Sequence, residues 1–167
     1  MAYTVTADLQ GILSIVQAFD STSAPGATGG GAKLTHTAFN QSLALPTATI
    51  PVTKAYITSK ALSTGTATID LTSLTDLSQS AADFSGLKVQ ALLCFNPASN
   101  AAISITEGAS NGHSISASTS SWKIVLPPGG WFLFYGADGG QDVGASDKTW
   151  DLAGTGSQAL SIALIAG

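Results

Sequence analysis

Residues 122–136 read WKIVLPPGGWFLFYG. Two strand-like pieces, rich in β-branched, aliphatic and aromatic residues, flank a Pro-Pro-Gly-Gly connection. Proline presets φ near its turn value and glycine admits positive φ, so the four residues predict a tight turn between two core strands. The two-residue period of a strand then puts Trp131, Leu133 and Tyr135 on one face and Phe132 and Phe134 on the other. Both faces are apolar and both need cover. One is expected to face the protein's own core, the other a neighbouring subunit or an arm such as residues 1–20.

The same reading extends along the chain, where short β-segments alternate with clusters of Gly, Pro, Ser and Asn. YTVTADL (3–9) and ILSIVQAF (12–19) are strand-like pieces on either side of Gly11. STSAPGATGGGA (21–32) suits no regular element and reads as a flexible loop. LTHTAFNQSLAL and PVTKAYITSKAL contain further strand-like pieces, with Pro46 and Pro51 confining that region to edges or turns. TATIDL (66–71) is a β-segment, and the stretch after it reads as loop, with Leu71, Leu74 and Leu77 spaced for at most one helical turn.

LKVQALLCF (87–95) is apolar almost throughout, the pattern of a strand covered on both faces. AAISIT (101–106), after the turn NPASN, is expected to return along it as a hairpin. HSISAS, KTWDL and QALSIALIA complete eight to ten strands with essentially no helix. The expected fold is all-β, an antiparallel two-sheet β-sandwich of the jelly-roll type. Its expected organisation is an N-terminal β arm (1–20), a Gly-rich loop (21–32) and a sandwich domain (33–167).

Composition narrows the function. The chain has 167 residues, enough for one domain with a real core. Charged residues are 10 % of it, against about 25 % in an ordinary soluble domain. Small neutral polar groups must therefore cover much of the surface, and such a surface costs little to press against other protein. The net charge is −4, and the six basic residues are all lysines scattered singly: Lys33, Lys54, Lys60, Lys88, Lys123 and Lys148. Without clustered cations to neutralise phosphates, nucleic-acid binding is not expected.

Cys94 is the only cysteine, so an intrachain disulfide is excluded, and its apolar setting suits a small buried hydrophobe. The opening MAYTVTADLQGIL has no basic segment, long apolar stretch or small-residue cleavage site, so synthesis in a cytoplasm without export by the general pathway is the expectation. No apolar run approaches the roughly 20 residues of a membrane span.

No arrangement points to catalysis. His36 and His113, the two histidines, have no metal-ligand spacing nearby, and no Gly-x-Ser-x-Gly elbow occurs. Asp138, Asp142, Asp147 and Asp151 form a local group of acids in a Gly-containing loop. Their spacing is not that of an EF-hand, and solvated loop acids are the simpler reading beside a weak Ca²⁺ site. Glu107 is the sole glutamate, which leaves little for a carboxylate pair. Stacking on sugar rings by Trp122, Trp131, Trp150 or a tyrosine is an alternative to core or interface packing. GATGGGA lacks the lysine and Ser/Thr of a phosphate-binding loop. No catalytic, cofactor or metal residue is expected. The candidate interface residues are Trp122, Trp131, Phe132, Phe134 and Tyr135, with Ile12, Ile15 and Phe19 on the arm.

Several pieces recur here in a familiar order: Asp70 to Asp76 (DLTSLTD), Lys88 to Asn96 (KVQALLCFN), Pro127 to Tyr135 (PPGGWFLFY), Asp138 with Gly139, and Gln158 to Ala166 (QALSIALIA). Taken together over residues 66–167, they resemble small β-rich structural proteins of tailed bacteriophages and prophages. The resemblance implies a virion component, either a head decoration or cement protein or a tail, fibre or adaptor part, and carries no catalytic residue. A capsid-surface location is expected, with the major capsid protein or other virion proteins as partners and with self-association as a trimer.

Overall fold

Alternation along ALSIALIA builds the centre of the fold: Leu160, Ile162, Leu164 and Ala166 are buried, while the residues between them are half-buried. A strand with one face fully apolar and the other made of Ala, Ser and Ile suits a sheet interior, where a neighbour pairs on each side. In this computed structural model, residues 52–75, 81–115, 121–136 and 140–167 are described in full, and residues 8–18 and 33–44 by their backbone pairing.

The strands are β1 (Asp8–Ala18), β2 (Lys33–Ala44), β3 (Lys54–Ala61), β4 (Thr66–Asp70), β5 (Leu74–Thr75), β6 (Ala81–Ala82), β7 (Val89–Phe95), β8 (Ile103–Glu107), β9 (Lys123–Leu126), β10 (Trp131–Tyr135), β11 (Thr149–Ala153) and β12 (Ala159–Ala166). Among the described residues there is no helix. The strand pairings are all antiparallel.

Two units make up the chain. One, Thr6–Pro46, holds the β1–β2 ribbon, and the other holds everything described from Val52 onward. The ribbon pairs Asp8 with Ala44 at one end and Ala18 with Lys33 at the other, with a register shift between Leu13 and Ile15. Strand β1 runs through Gly11 without a break. Residues 33–44, expected within the sandwich domain, are thus paired with the N-terminal strand instead. The loop expected at 21–32 lies outside the described residues.

In the larger unit a first sheet has the order β10-β7-β12-β3 and a second the order β4-β11-β8-β9; β5 and β6 form a small pair of their own. Successive strands change sheet at almost every connection. β3 and β4, β7 and β8, β9 and β10, β10 and β11, and β11 and β12 all lie in different sheets, and β8–β9 is the hairpin within one of them. The hairpin expected between residues 87–95 and 101–106 therefore does not form, and NPASN is a crossing.

Asn96 accounts for that crossing. Its buried side chain donates from Nδ2 to the carbonyls of Leu126 (2.9 Å), Ala101 (3.0 Å) and Pro127 (3.1 Å), and its Oδ1 accepts from Asn100 Nδ2. Its backbone N–H donates to Gly130 O. The end of β7, the approach to β8 and the Pro-Pro-Gly-Gly turn are pinned to one amide. The turn itself closes through Gly130 N–H to Pro127 O at 2.9 Å, with Pro128 and then Gly129 (φ 72°) at its centre. That is the type II arrangement, in which the third residue must take positive φ. Thr64 and Gly65 carry the chain tightly from β3 to β4, both at positive φ, and a Cβ on Gly65 would lie 2.8 Å from Gly154 O.

Both sheets feed one core. Tyr56, Leu92, Cys94, Leu160, Ile162 and Leu164 come from the first sheet and Ile69, Ile103, Ile105, Leu126, Trp150 and Leu152 from the second, with Phe84 and Leu71 from the connection around β5 and β6. No helix of the described residues is long and apolar enough to cross a membrane.

Candidate functional site: the outer face of the first sheet

Register across the first sheet fixes what its outward side carries. Trp131 stands opposite Phe95, which pairs with Ser161, which pairs with Ser59. The next row out is Leu133, Leu93, Ala163 and Ile57, and the third is Tyr135, Ala91, Ile165 and Ala55. None of these three rows holds a charge. Alternate residues turn inward: Phe132 and Phe134 pack against the core, as the strand period requires.

Much of this face is open. Trp131 is 67 % exposed, Ile57 57 %, and Leu93 and Phe95 43 % each. Among the described residues one further large apolar side chain, Val125, is comparably exposed, and it lies on the other sheet. Ile57, Leu93, Phe95 and Ala163 wall a shallow groove of about 190 Å³ floored by Ser161 and Ile162. Scattered exposed hydrophobes are ordinary; these four lie on one side of one sheet, on β10, β7 and β3, with half-buried Ser161, Ala163 and Ile165 of β12 between β7 and β3.

The second sheet presents a different exterior. Its outward rows are Thr68, Asp151, Thr106 and Lys123, then Thr66, Ala153, Ser104 and Val125. Asp151 accepts from Thr68 Oγ1 at 2.7 Å and from the Ala109 backbone N–H at 2.8 Å. Hydroxyls and charges in mutual hydrogen bonds form a solvated exterior, the usual state of an antiparallel sheet with one side to water.

The chemical candidates disperse. Asp142 pairs with Lys88 Nζ at 2.8 Å, Asp147 accepts from Ser146 Oγ, and Asp151 is committed as above. No group of three metal-ligating side chains occurs among the described residues, and Asp138 lies outside them. Cys94 is fully buried, and desolvation pushes its thiol up to about 12, far from a reactive thiolate.

His113 is a core residue. Its Nε2 faces Gln141 O at 3.0 Å, and its own carbonyl accepts from Trp150 Nε1 at 2.9 Å and Trp122 Nε1 at 3.3 Å. Because a carbonyl only accepts, Nε2 carries the proton and Nδ1 is the bare nitrogen; Nδ1 is buried with no hydrogen-bond partner among the described residues. Burial holds the imidazole pKa below the ordinary histidine value, against the opposing pull of the Gln141 carbonyl and of Asp147 and Glu107. His113 through Ile115, expected to begin a short strand, are not in one, because that carbonyl is taken by two indoles.

The interface candidates from the sequence separate accordingly. Trp131 and Tyr135 sit on the outer face; Phe132 and Phe134 pack inward; half-buried Trp122 stands edge-on to Trp150, centroids 5.8 Å apart. Ile12 and Ile15 lie in β1 opposite Asn40 and His36, with side chains outside the described residues, as is Phe19. Sequence reasoning missed Ile57, Leu93, Phe95 and Ile165. The unbroken apolar run around Leu93 and Phe95 was the available signal, but only register brings Ile57 and Ile165 beside them.

No protein-family model matches the chain, no curated protein matches it, and no solved structure matches it.

Proposed function

We propose that this protein is a non-enzymatic structural component of a tailed-phage virion, a decoration or cement protein that adheres to the outside of the head. It acts by binding the major capsid protein or other virion proteins and copies of itself. The observation that carries this reading is the charge-free outer face of the first sheet, set against the polar exterior of the second. An asymmetric pair of sheets has one side for water and one for protein. Apolar area covered there contributes about 25 cal/mol per Å² before the costs of association.

The finer fold belongs to the same proposal. We read the larger unit as a jelly-roll sandwich, supported by eight principal strands in two four-stranded sheets that share a core and exchange the chain at nearly every connection. Viral coat proteins and lectins both use that architecture. The groove beside Phe95 and Leu93 is mostly apolar, with the hydroxyl residues Thr58, Ser59 and Ser161 and no charged residue in its lining, which suits an apolar protein side chain.

Mass spectrometry of purified particles of the encoding virus, with cryo-EM to locate the chain, tests the proposal. The expected result is many copies per particle on the head exterior. Absence from purified particles contradicts it, and a position on the tail replaces the decoration role with a tail or adaptor role.

A further inference from the structure

The outer face of the first sheet is divided into a bulky half and a small half. β10 and β7 contribute Trp131, Leu133, Tyr135, Phe95 and Leu93, with Ala91 small and buried; β12 and β3 contribute Ser161, Ala163, Ser59 and Ala55, with Ile165 and Ile57 as their two large residues. We infer that this face pairs with the same face of a second copy about a two-fold axis running along the strands between β7 and β12. The inference rests on the proposed reading that the protein works by self-association, and it names a two-fold pair where the sequence suggested a trimer.

That axis lays β10 of each copy over β3 of the other and β7 over β12. Trp131 then comes down on Ser59, Phe95 on Ser161, Leu93 on Ala163 and Tyr135 on Ala55, large against small, with Ile165 on Ala91 the same in reverse and Leu133 on Ile57 the one pair of two large side chains. The groove between Ile57 and Phe95 receives the partner's most exposed ring. An axis across the strands instead stacks β10 on β10, with bulk meeting bulk and the small half left empty. An isologous contact requires one patch to carry both knob and hole, as this one does. Neither copy brings a charge to the rows, so no ion is desolvated in the joint. Two sheets packed with their strands nearly aligned are an ordinary β arrangement.

The area sets the strength. Three rows of four strands cover roughly 400 Å² per copy from strand spacing alone, so the pair buries roughly 800 Å² before side-chain relief, at the low end for specific complexes. An area of that size belongs to a weak, transient contact, one that crowding of copies on a particle favours.

Sedimentation velocity of the full chain over a concentration series tests the pairing, using Leu93→Lys, Ala163→Glu and an equimolar mixture of the two. The expected result is a reversible wild-type dimer, at least about tenfold weaker self-association for each variant, and recovery in the mixture, where the new lysine faces the new glutamate. As a second readout, Ser59→Cys chains mixed with Trp131→Cys chains are joined into a dimer by a short bis-maleimide that spans facing sheets, and neither is joined alone beyond background. A wild-type monomer at all concentrations overturns the inference. So does an oligomer that both variants leave unchanged. A monomer found in particles removes the pair and leaves the virion reading standing; a dimer absent from particles does the reverse.

Discussion

Trp131 and Phe95 face each other across β10 and β7 at the head of an outward row, and both rings lie on the solvent side of the sheet. In the adjacent pair, one residue forward in β10 and one back in β7, Phe132 and Cys94 lie on the opposite side, against the core. A single sheet thus has two apolar faces, of which the fold covers one. The uncovered face separates stability from association, and substitutions on the two sides have different consequences.

Leu164→Ala and Leu93→Ser should differ sharply in the monomer. Leu164 is buried in the core, so its truncation costs about 2–5 kcal/mol. Leu93 is exposed, and its replacement shifts unfolding by less than about 1 kcal/mol. Urea denaturation at low protein concentration, with unchanged slope, measures both.

Asn96→Ala removes the amide that holds the crossing and strands the acceptors at Leu126 and Pro127 in or near the core. Each buried polar group left without a partner costs about 1–3 kcal/mol, so a loss of about 3 kcal/mol is expected. The same denaturation series reads it. Asn96→Asp is no rescue, because an ionised carboxylate cannot donate to those carbonyls.

His113 makes stability fall in mild acid. Its folded-state pKa lies below the ordinary value, so the unfolded chain takes up the proton first. No penalty exists above about pH 6.5, the unfolded value; stability drops as pH falls below it, and the drop continues until the folded-state imidazole also protonates. The melting temperature between pH 7.5 and 5 should decline, and His113→Gln should flatten that decline.

Cys94 should be inert in the native protein. Its burial and its raised pKa leave almost no accessible thiolate at pH 8. An aromatic disulfide reagent should leave the native protein unlabelled over the time in which it labels all of the chains in guanidinium, because burial bars its access.

Strand content was legible in the sequence because the signals were local. ALSIALIA alternates cleanly, and Pro-Pro-Gly-Gly can do little but turn. The pairing was not legible in the same way. Whether NPASN makes a hairpin or a crossing depends on where Asn96 finds acceptors, and two of the three, Leu126 and Pro127, lie some thirty positions on. Half of the outer face was visible in WFLFY, whose alternation separates Trp131 from Phe132. The other half required Ile57 and Ile165 to be brought beside Leu93 and Ala91 by register across β3, β12 and β7, a long-range property with no short motif. His113 gave no sequence signal of burial, since its place is set by Trp122, Trp150 and Gln141 around it.

Oxidative footprinting in the free monomer and in purified particles tests the central claim, that this protein works by covering the outer face of its first sheet with other protein. Trp131, Leu93 and Ile57 should lose most of their reactivity on assembly, while Val125, exposed on the opposite sheet, keeps its own. Equal labelling of Trp131 in the two states, or protection of Val125 in its place, would contradict the account.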